Sequence, residues 1–314
     1  MKIRNLKIII LLQALIFICF MQFETKSFEN KIIFKINNEI ITSLDLENEI
    51  NYLIALNPNL KNLSKNEISE ISKKSIMQEK IKSIEIIKNF ENPKLPIKFL
   101  EKLLKNIYTK IGIVELENFK IYLDSKNIDY ANVIRKIEIE ALWNELIISK
   151  FSNRVKVNEA NLKEILKKNM NKKTKSFLMS EIFFEISDSK ELDVKYRQIS
   201  NTIKEKGFDN AALKYSISET ASIGGKLDWI NENSLNEKIK KILISKKINE
   251  FTNPIPVPGG FLILQINEIK INDTKKNIEK ELKKLINITK NNQLNQFSKI
   301  YFNRVKKDLQ IDEI

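Results

Sequence analysis

Residues 253–269, NPIPVPGGFLILQINEI, are unlike the rest of the chain. Three of the six prolines and two of the six glycines in 314 residues fall between Pro254 and Gly260, and the apolar run Phe261–Leu264 follows at once. Proline presets φ for a turn and glycine accepts φ > 0, so the cluster predicts a tight reversal between strands at about 251–256 and 261–269. Upstream come the loop SISETASIGG (216–225), a predicted strand at KLDWI (226–230) and a helix at about 235–245. Further upstream, KSFLMSEIFFEI is strand-like, LDVKYRQISNTIKEKG is a helix closed by Gly207, and a short helix covers about 208–215.

Outside this block the pattern is helical. KIIFKINNEIITSLDLENEI (31–50) begins with Ile32, Phe34 and Ile36 at period two, turns at Asn37-Asn38, and returns through Ile40-Ile41 as a small hairpin. Thr42 with Asp45, and Ser64 with Glu67, are capping-box pairs that open helices at about 44–56 and 66–89. Pro93 and Pro96 stop the second helix and open another at about 97–110. Helices at about 114–126 and 130–151 follow, the last with Ile134, Ile137, Leu142 and Leu146 mostly on one face. Asn158 caps a helix to about Met170, and a short basic linker leads into the middle block. A helix from Asp273 to about Phe302 and a last short strand at 309–314 end the chain. A C-terminal helix with nothing of its own to pack on returns to the N-terminal helices. The fold class is therefore α+β, with an insertion in a discontinuous helical domain.

Composition bounds the chemistry. An apolar content of 42% with 30% charged residues is that of a globular chain. The formal charge is +14, but lysine is spread along nearly every segment and often has a glutamate close by. No basic face interleaved with aromatics emerges, so no nucleic-acid partner is expected. There is no histidine and the single cysteine is Cys19. Ser-His-Asp, Cys-His and His-metal sites are excluded, and no metal or cofactor is expected.

The first residues, MKIRNLKIIILLQALIFICFMQFETKS, carry Lys2, Arg4 and Lys7 before an apolar run, Ile8–Met21, broken only by Gln13. That run is short of the ~20 residues of a membrane-spanning helix and fits a signal peptide. Thr25 and Ser27 supply small residues for a cut before Phe28. Ile18 before Cys19 disfavours a lipidation signal. Export is the expectation, with an uncleaved anchor as the alternative.

The segments YSISETASIGGKLDWI (215–230) and INEFTNPIPVPGGFLILQI (248–266), with the helix holding Leu235 and Ile239 between them, resemble the parvulin-type (PpiC/rotamase) peptidyl-prolyl isomerase domain. Order and spacing agree across about 95 residues, and Gly-Gly-x-Leu-x-Trp is the most specific piece. The N-terminal hairpin and helix look like the start of the SurA-type periplasmic chaperones, in which a helical domain completed by a C-terminal helix carries parvulin modules. The resemblance implies a signal peptide (1–27), a helical domain with a small hairpin (28–172), one parvulin-like domain with a four-stranded antiparallel sheet and helices (173–271), and a C-terminal helix and strand (272–314) packing on the helical domain.

Active parvulins are expected to carry a His on the first strand, a His on the last strand, a Cys or Asp before the Gly-Gly loop and a nearby Thr. Matched residue by residue, these positions fall on Glu181, Leu262, Ser218 and Val257. All four depart from the pattern. Leu235 and Ile239 match the apolar floor that grips the proline ring, and Trp229 and Phe251 are expected at its rim. An apolar groove without its polar centre implies a binder: a periplasmic chaperone of unfolded or proline-containing polypeptides, outer-membrane proteins among them, with weak or lost isomerase activity. The alternatives are a working isomerase whose groove is shaped by Glu181, Ser218 and Tyr215, and a membrane-anchored interaction protein.

Overall fold

The computed structural model describes residues 30–91, 93–168, 173–186, 188–272 and 278–313. The expected signal peptide, its cleavage point and Cys19 lie outside them.

Strands β1 (Ile32–Ile36) and β2 (Glu39–Thr42) pair antiparallel with Ile36 opposite Glu39. Asn37 takes φ +51° in the turn between them, which asparagine tolerates. A register shift between Ile32 and Phe34 breaks the expected alternation, so Phe34 and Ile36 are buried while Ile32 is exposed. Helix α1 (Ser43–Leu56) opens on the Thr42–Asp45 capping box and α2 (Lys65–Asn89) on the Ser64–Glu67 box, each with both reciprocal hydrogen bonds. Next come α3 (Ile97–Lys110), α4 (Leu116–Asp124), α5 (Tyr130–Phe151) and α6 (Glu159–Lys168).

The middle block contains β3 (Thr174–Phe184), α7 (Leu192–Lys206), α8 (Phe208–Tyr215), β4 (Ile230–Asn231), α9 (Glu237–Ile244), β5 (Ile255–Val257) and β6 (Gly260–Asn272). Its four strands form one antiparallel sheet in the order β4-β3-β6-β5. Two strands are shorter than expected. Along KLDWI only Ile230 begins ladder pairing, opposite Phe177, while Lys226 makes an isolated bridge to Ser180. Phe251 makes a single bridge to Gln265, and pairing resumes only after Pro254, which has no N–H to donate.

Helix α10 (Ile278–Lys307) then returns to the N-terminal helices. Its Tyr301 and Val305 share a core with Ile76, Ile81 and Ile86 of α2 and Leu142, Trp143 and Leu146 of α5. The fully buried Trp143 donates Nε1–H to Ser298 Oγ at 2.8 Å, and Phe151 stacks on Phe297 at 5.1 Å. The chain ends in β7 (Ile311–Glu313), which pairs antiparallel with β1, Ile36 opposite Ile311. The hairpin thus becomes a three-stranded sheet, β2-β1-β7. A second core joins Leu104, Tyr108, Phe119, Leu123, Val133 and Ile137. The fold is a discontinuous, mostly helical body with an inserted four-stranded sheet and its helices. Among the described residues, no helix is long and apolar enough to cross a membrane.

Candidate functional site

Two glycine-dependent contacts set the shape of the site. Pro258-Gly259 link β5 to β6 with Val257 opposite Gly260, and Gly259 at φ +86° is the third residue of a type II turn. A Cβ on Gly260 would sit 2.5 Å from the Phe184 carbonyl oxygen, so the turn lies directly on the end of β3. Gly225, at φ +74°, is tighter still, since a Cβ there would sit 2.1 Å from the Glu181 carbonyl oxygen. This close approach lets the Glu181 N–H donate to the Gly225 carbonyl at 2.8 Å.

That loop carries a chain of hydroxyls. Ser216 Oγ accepts from the Phe183 N–H at 3.1 Å and the Ser218 N–H at 3.2 Å, which fills both of its acceptor positions. Its own O–H is left to donate to Ser218 Oγ at 2.9 Å. Ser218 in turn donates to Thr220 Oγ1 at 2.8 Å, and Thr220 donates to the Glu181 carboxylate at 2.9 Å. A carboxylate only accepts, so the whole chain is polarised in one direction and ends on Glu181. Ser216 and Ser218 are buried.

Glu181 lies opposite Leu264 in the β3–β6 ladder, and Phe183 lies opposite Leu262. Strand alternation places Glu181 on the face of Met179. On that face Leu235, Ile239 and Leu262, all half-buried, pack against the cluster of Phe177, Met179, Leu243, Ile255, Leu264 and Ile266. Val257 follows Ile255 on the same side of β5, at the hairpin end. Trp229 is 36% exposed near the start of β4. Phe251 packs against the opposite cluster, formed by Ile182, Phe184, Ile199, Phe208 and Ile263, and Tyr215 joins it there, its OH 3.2 Å from Thr202 Oγ1. The structure therefore brings Glu181, Ser218, Leu235, Ile239 and Leu262 to one face and sends Phe251 and Tyr215 to the other. In the sequence Ser216 and Thr220 stand only as part of the loop SISETASIGG. Their period-two spacing with Ser218 was the available signal. Among the described residues, no group of three or more Cys, Asp or Glu is placed to hold a metal ion.

Residues 177–268 match the family model for the rotamase, or PPIC-type PPIase, domain. This stretch is a PPIC-type rotamase domain. The chain is similar to Chaperone SurA of Pseudomonas putida, 23% identical over 164 residues that cover 49% of this chain and 38% of that one. It is 27% identical to Chaperone SurA of Nitrosospira multiformis over 170 residues, covering 51% and 39% respectively. The match thus spans about two fifths of the length of these curated relatives. Among solved structures, one described as of two SurA-like chaperones of Campylobacter jejuni is 16% identical over 91% of this chain and 99% of that one, with a TM-score of 0.34. A PpiC-type peptidyl-prolyl cis-trans isomerase domain is 24% identical over 33% of this chain and 96% of that one, with a TM-score of 0.28.

The rotamase domain is held to the helical body by side chains far apart in sequence. Glu67, at the start of α2, pairs with Lys206 at 2.6 Å and Lys214 at 2.8 Å. These two lysines hold its carboxyl well below the usual carboxylate range. Lys74 donates to the Ser216 carbonyl, and Asn303 of α10 donates to Glu185 just after β3. Burial pushes the Lys74 ammonium down to about 8, with Lys195 and Lys306 adding repulsion.

Proposed function

We propose that the protein is an exported, SurA-like chaperone that holds unfolded polypeptides, outer-membrane proteins among them, in the periplasm. In this reading residues 1–27 are a signal peptide, residues 28–172 and 272–314 make the helical chaperone domain, and residues 173–271 make a rotamase domain of weak or lost activity. Clients bind between the two, and after cleavage the chain is not inserted in a membrane. The observation that carries the reading is Leu262 packed with Leu235 and Ile239 on one apolar cluster. Where parvulin chemistry calls for a histidine, this face continues its apolar floor. Prolyl rotation has a barrier of about 18–20 kcal/mol set by amide conjugation, and an apolar floor binds the ring without favouring the twisted state over the planar one. The exposed indole of Trp229 adds apolar surface nearby. The resemblance to proteins named Chaperone SurA supports the holding role.

The experiment is a pair of assays on one preparation: aggregation of a chemically unfolded outer-membrane protein, without nucleotide, and cis-to-trans relaxation of a prolyl peptide. Suppressed aggregation with relaxation at the uncatalysed rate is expected. Unchanged aggregation would refute the chaperone reading.

The second reading, an active isomerase of unorthodox polar composition, is favoured by the hydroxyl chain that ends on Glu181. It requires catalysed relaxation that is lost in Leu235→Asp.

A further inference from the structure

Between the helical body and the rotamase domain lies a cavity of about 160 Å³, lined from α2, α5, α10 and the segment around Ser218. A cavity of ~150 Å³ holds a benzene ring, so this one has room for a single aromatic or leucine-sized side chain. Its lining combines two chemistries. Ile81, Trp143, Ile217 and Phe302 give it an apolar floor, and four lysines, Lys74, Lys82, Lys299 and Lys306, are among its lining residues. One carboxylate, Glu185, lies among the lining residues, and Asn303 donates to it. Lys82 is matched by Glu140 at 2.6 Å, and Lys299 sits 3.8 Å from the centroid of the Phe183 ring. Lys74 gives one N–H to the Ser216 carbonyl, and among the described residues no carboxylate forms an ion pair with it. A partly desolvated ammonium with further ammonium groups around it favours an anion.

A fully hydrated anion would use the lysines and leave the apolar floor unfilled. A long apolar chain would use the floor and leave the lysines uncompensated. The group that satisfies both is a carboxylate and an apolar side chain carried on one carbon, which is how a polypeptide ends. We propose that this cavity binds the C-terminal residue of a polypeptide client, its α-carboxylate on Lys74 and Lys306 and its apolar side chain against Ile81, Trp143 and Phe302. The identity of the ligand as a polypeptide rests on the chaperone reading, while the preference for a free carboxylate rests on the cavity alone.

The test uses the purified protein and a fluorescein-labelled pentapeptide ending in leucine, as free acid and as C-terminal amide, followed by anisotropy. The free acid is expected to bind about tenfold more tightly than the amide, a difference of ~1.4 kcal/mol. Lys74→Met and Lys306→Met should each bring the acid towards the amide and leave the amide unchanged. Lys306 is exposed, so its variant tests the site even if Lys74→Met perturbs folding. N-acetyl-leucine should displace the peptide acid at concentrations where inorganic phosphate does not. Equal binding of acid and amide overturns the proposal, and equal displacement by phosphate overturns it in favour of a general anion site. Aggregation of an unfolded client measured alongside separates the two ideas. Suppression that persists while acid and amide bind alike leaves the chaperone reading standing and removes only the chain-end site.

Discussion

Glu67→Gln isolates the charge that clamps the rotamase domain to the helical body. Glu67 does two jobs: it closes the capping box with Ser64 at the start of α2, and it receives Lys206 and Lys214 from 139 and 147 residues away. Glutamine can keep the capping geometry, since either residue serves at that position. It removes both ion pairs. The Glu67 side chain is only 16% exposed and its lysines 29% and 33%, so each pair lies at the upper end of the ~0.2–1 kcal/mol range of surface pairs. The loss comes to about 1–2 kcal/mol, including repulsion between the two lysines left behind. Glu67→Ala also loses the reciprocal bond from the Ser64 N–H, although Ser64 still caps the N–H of residue 67, so it costs ~0.5–1 kcal/mol more, for a total of about 1.5–3 kcal/mol.

Thermal unfolding at low ionic strength should place the glutamine variant about 2–8 °C below the parent, at roughly 2–4 °C per kcal/mol for a large domain. The gap should narrow in 1 M NaCl, where the Debye length falls to about 3 Å. The pH dependence has a definite sign. The folded carboxyl is depressed, so its contribution is complete above the unfolded value of ~4.3 and is lost as pH falls through the folded value. The variant should therefore converge on the parent in strong acid. A glutamine variant as stable as the parent at neutral pH and low salt, with the alanine variant lower by the reciprocal capping bond alone, would refute the clamp.

Gly225→Ala forces a Cβ to 2.1 Å from the Glu181 carbonyl oxygen at a φ of +74°, and should cost more than ~3 kcal/mol in urea unfolding. Trp143→Ala empties the centre of the main core and removes the Nε1–H donor to Ser298 Oγ, so a loss of about 3–5 kcal/mol is expected by the same measurement. Thr220→Val keeps the shape but cuts the hydroxyl chain between Ser218 and Glu181. It should cost about 1–2 kcal/mol and leave aggregation suppression intact, whereas catalysed prolyl relaxation lost in this variant as well as in Leu235→Asp would support the isomerase reading.

Features whose physics is local were legible in the chain. Both capping boxes, the α5 span from Tyr130 to Phe151, the Asn37 turn and the Pro258-Gly259 reversal depend on residues a few positions apart, and each formed where expected. The return of α10 onto the N-terminal helices was legible too, because a long helix with nothing of its own to pack on needs a partner and the first helices were the available one.

Other features depended on which surfaces meet. Nothing local says that Ile311–Glu313 pairs with β1 rather than ending free, and the expected face of β1 failed at Ile32 because of a single register shift. Phe251 was expected beside Leu235, but its bridge to Gln265 turns it to the other side of the sheet, since one step along a strand reverses the face. Ser216, Ser218 and Thr220 look like ordinary loop hydroxyls until Gly225 lays their loop against β3 and Glu181 completes the chain, 39 residues from Thr220. The clamp at Glu67 and the cavity beside Lys74 join residues more than 130 positions apart. Short-range propensity and turn chemistry select the elements. The pairing of charges and hydroxyls across distant segments is decided only when those elements pack, because their desolvation and geometry do not exist in the chain before it folds.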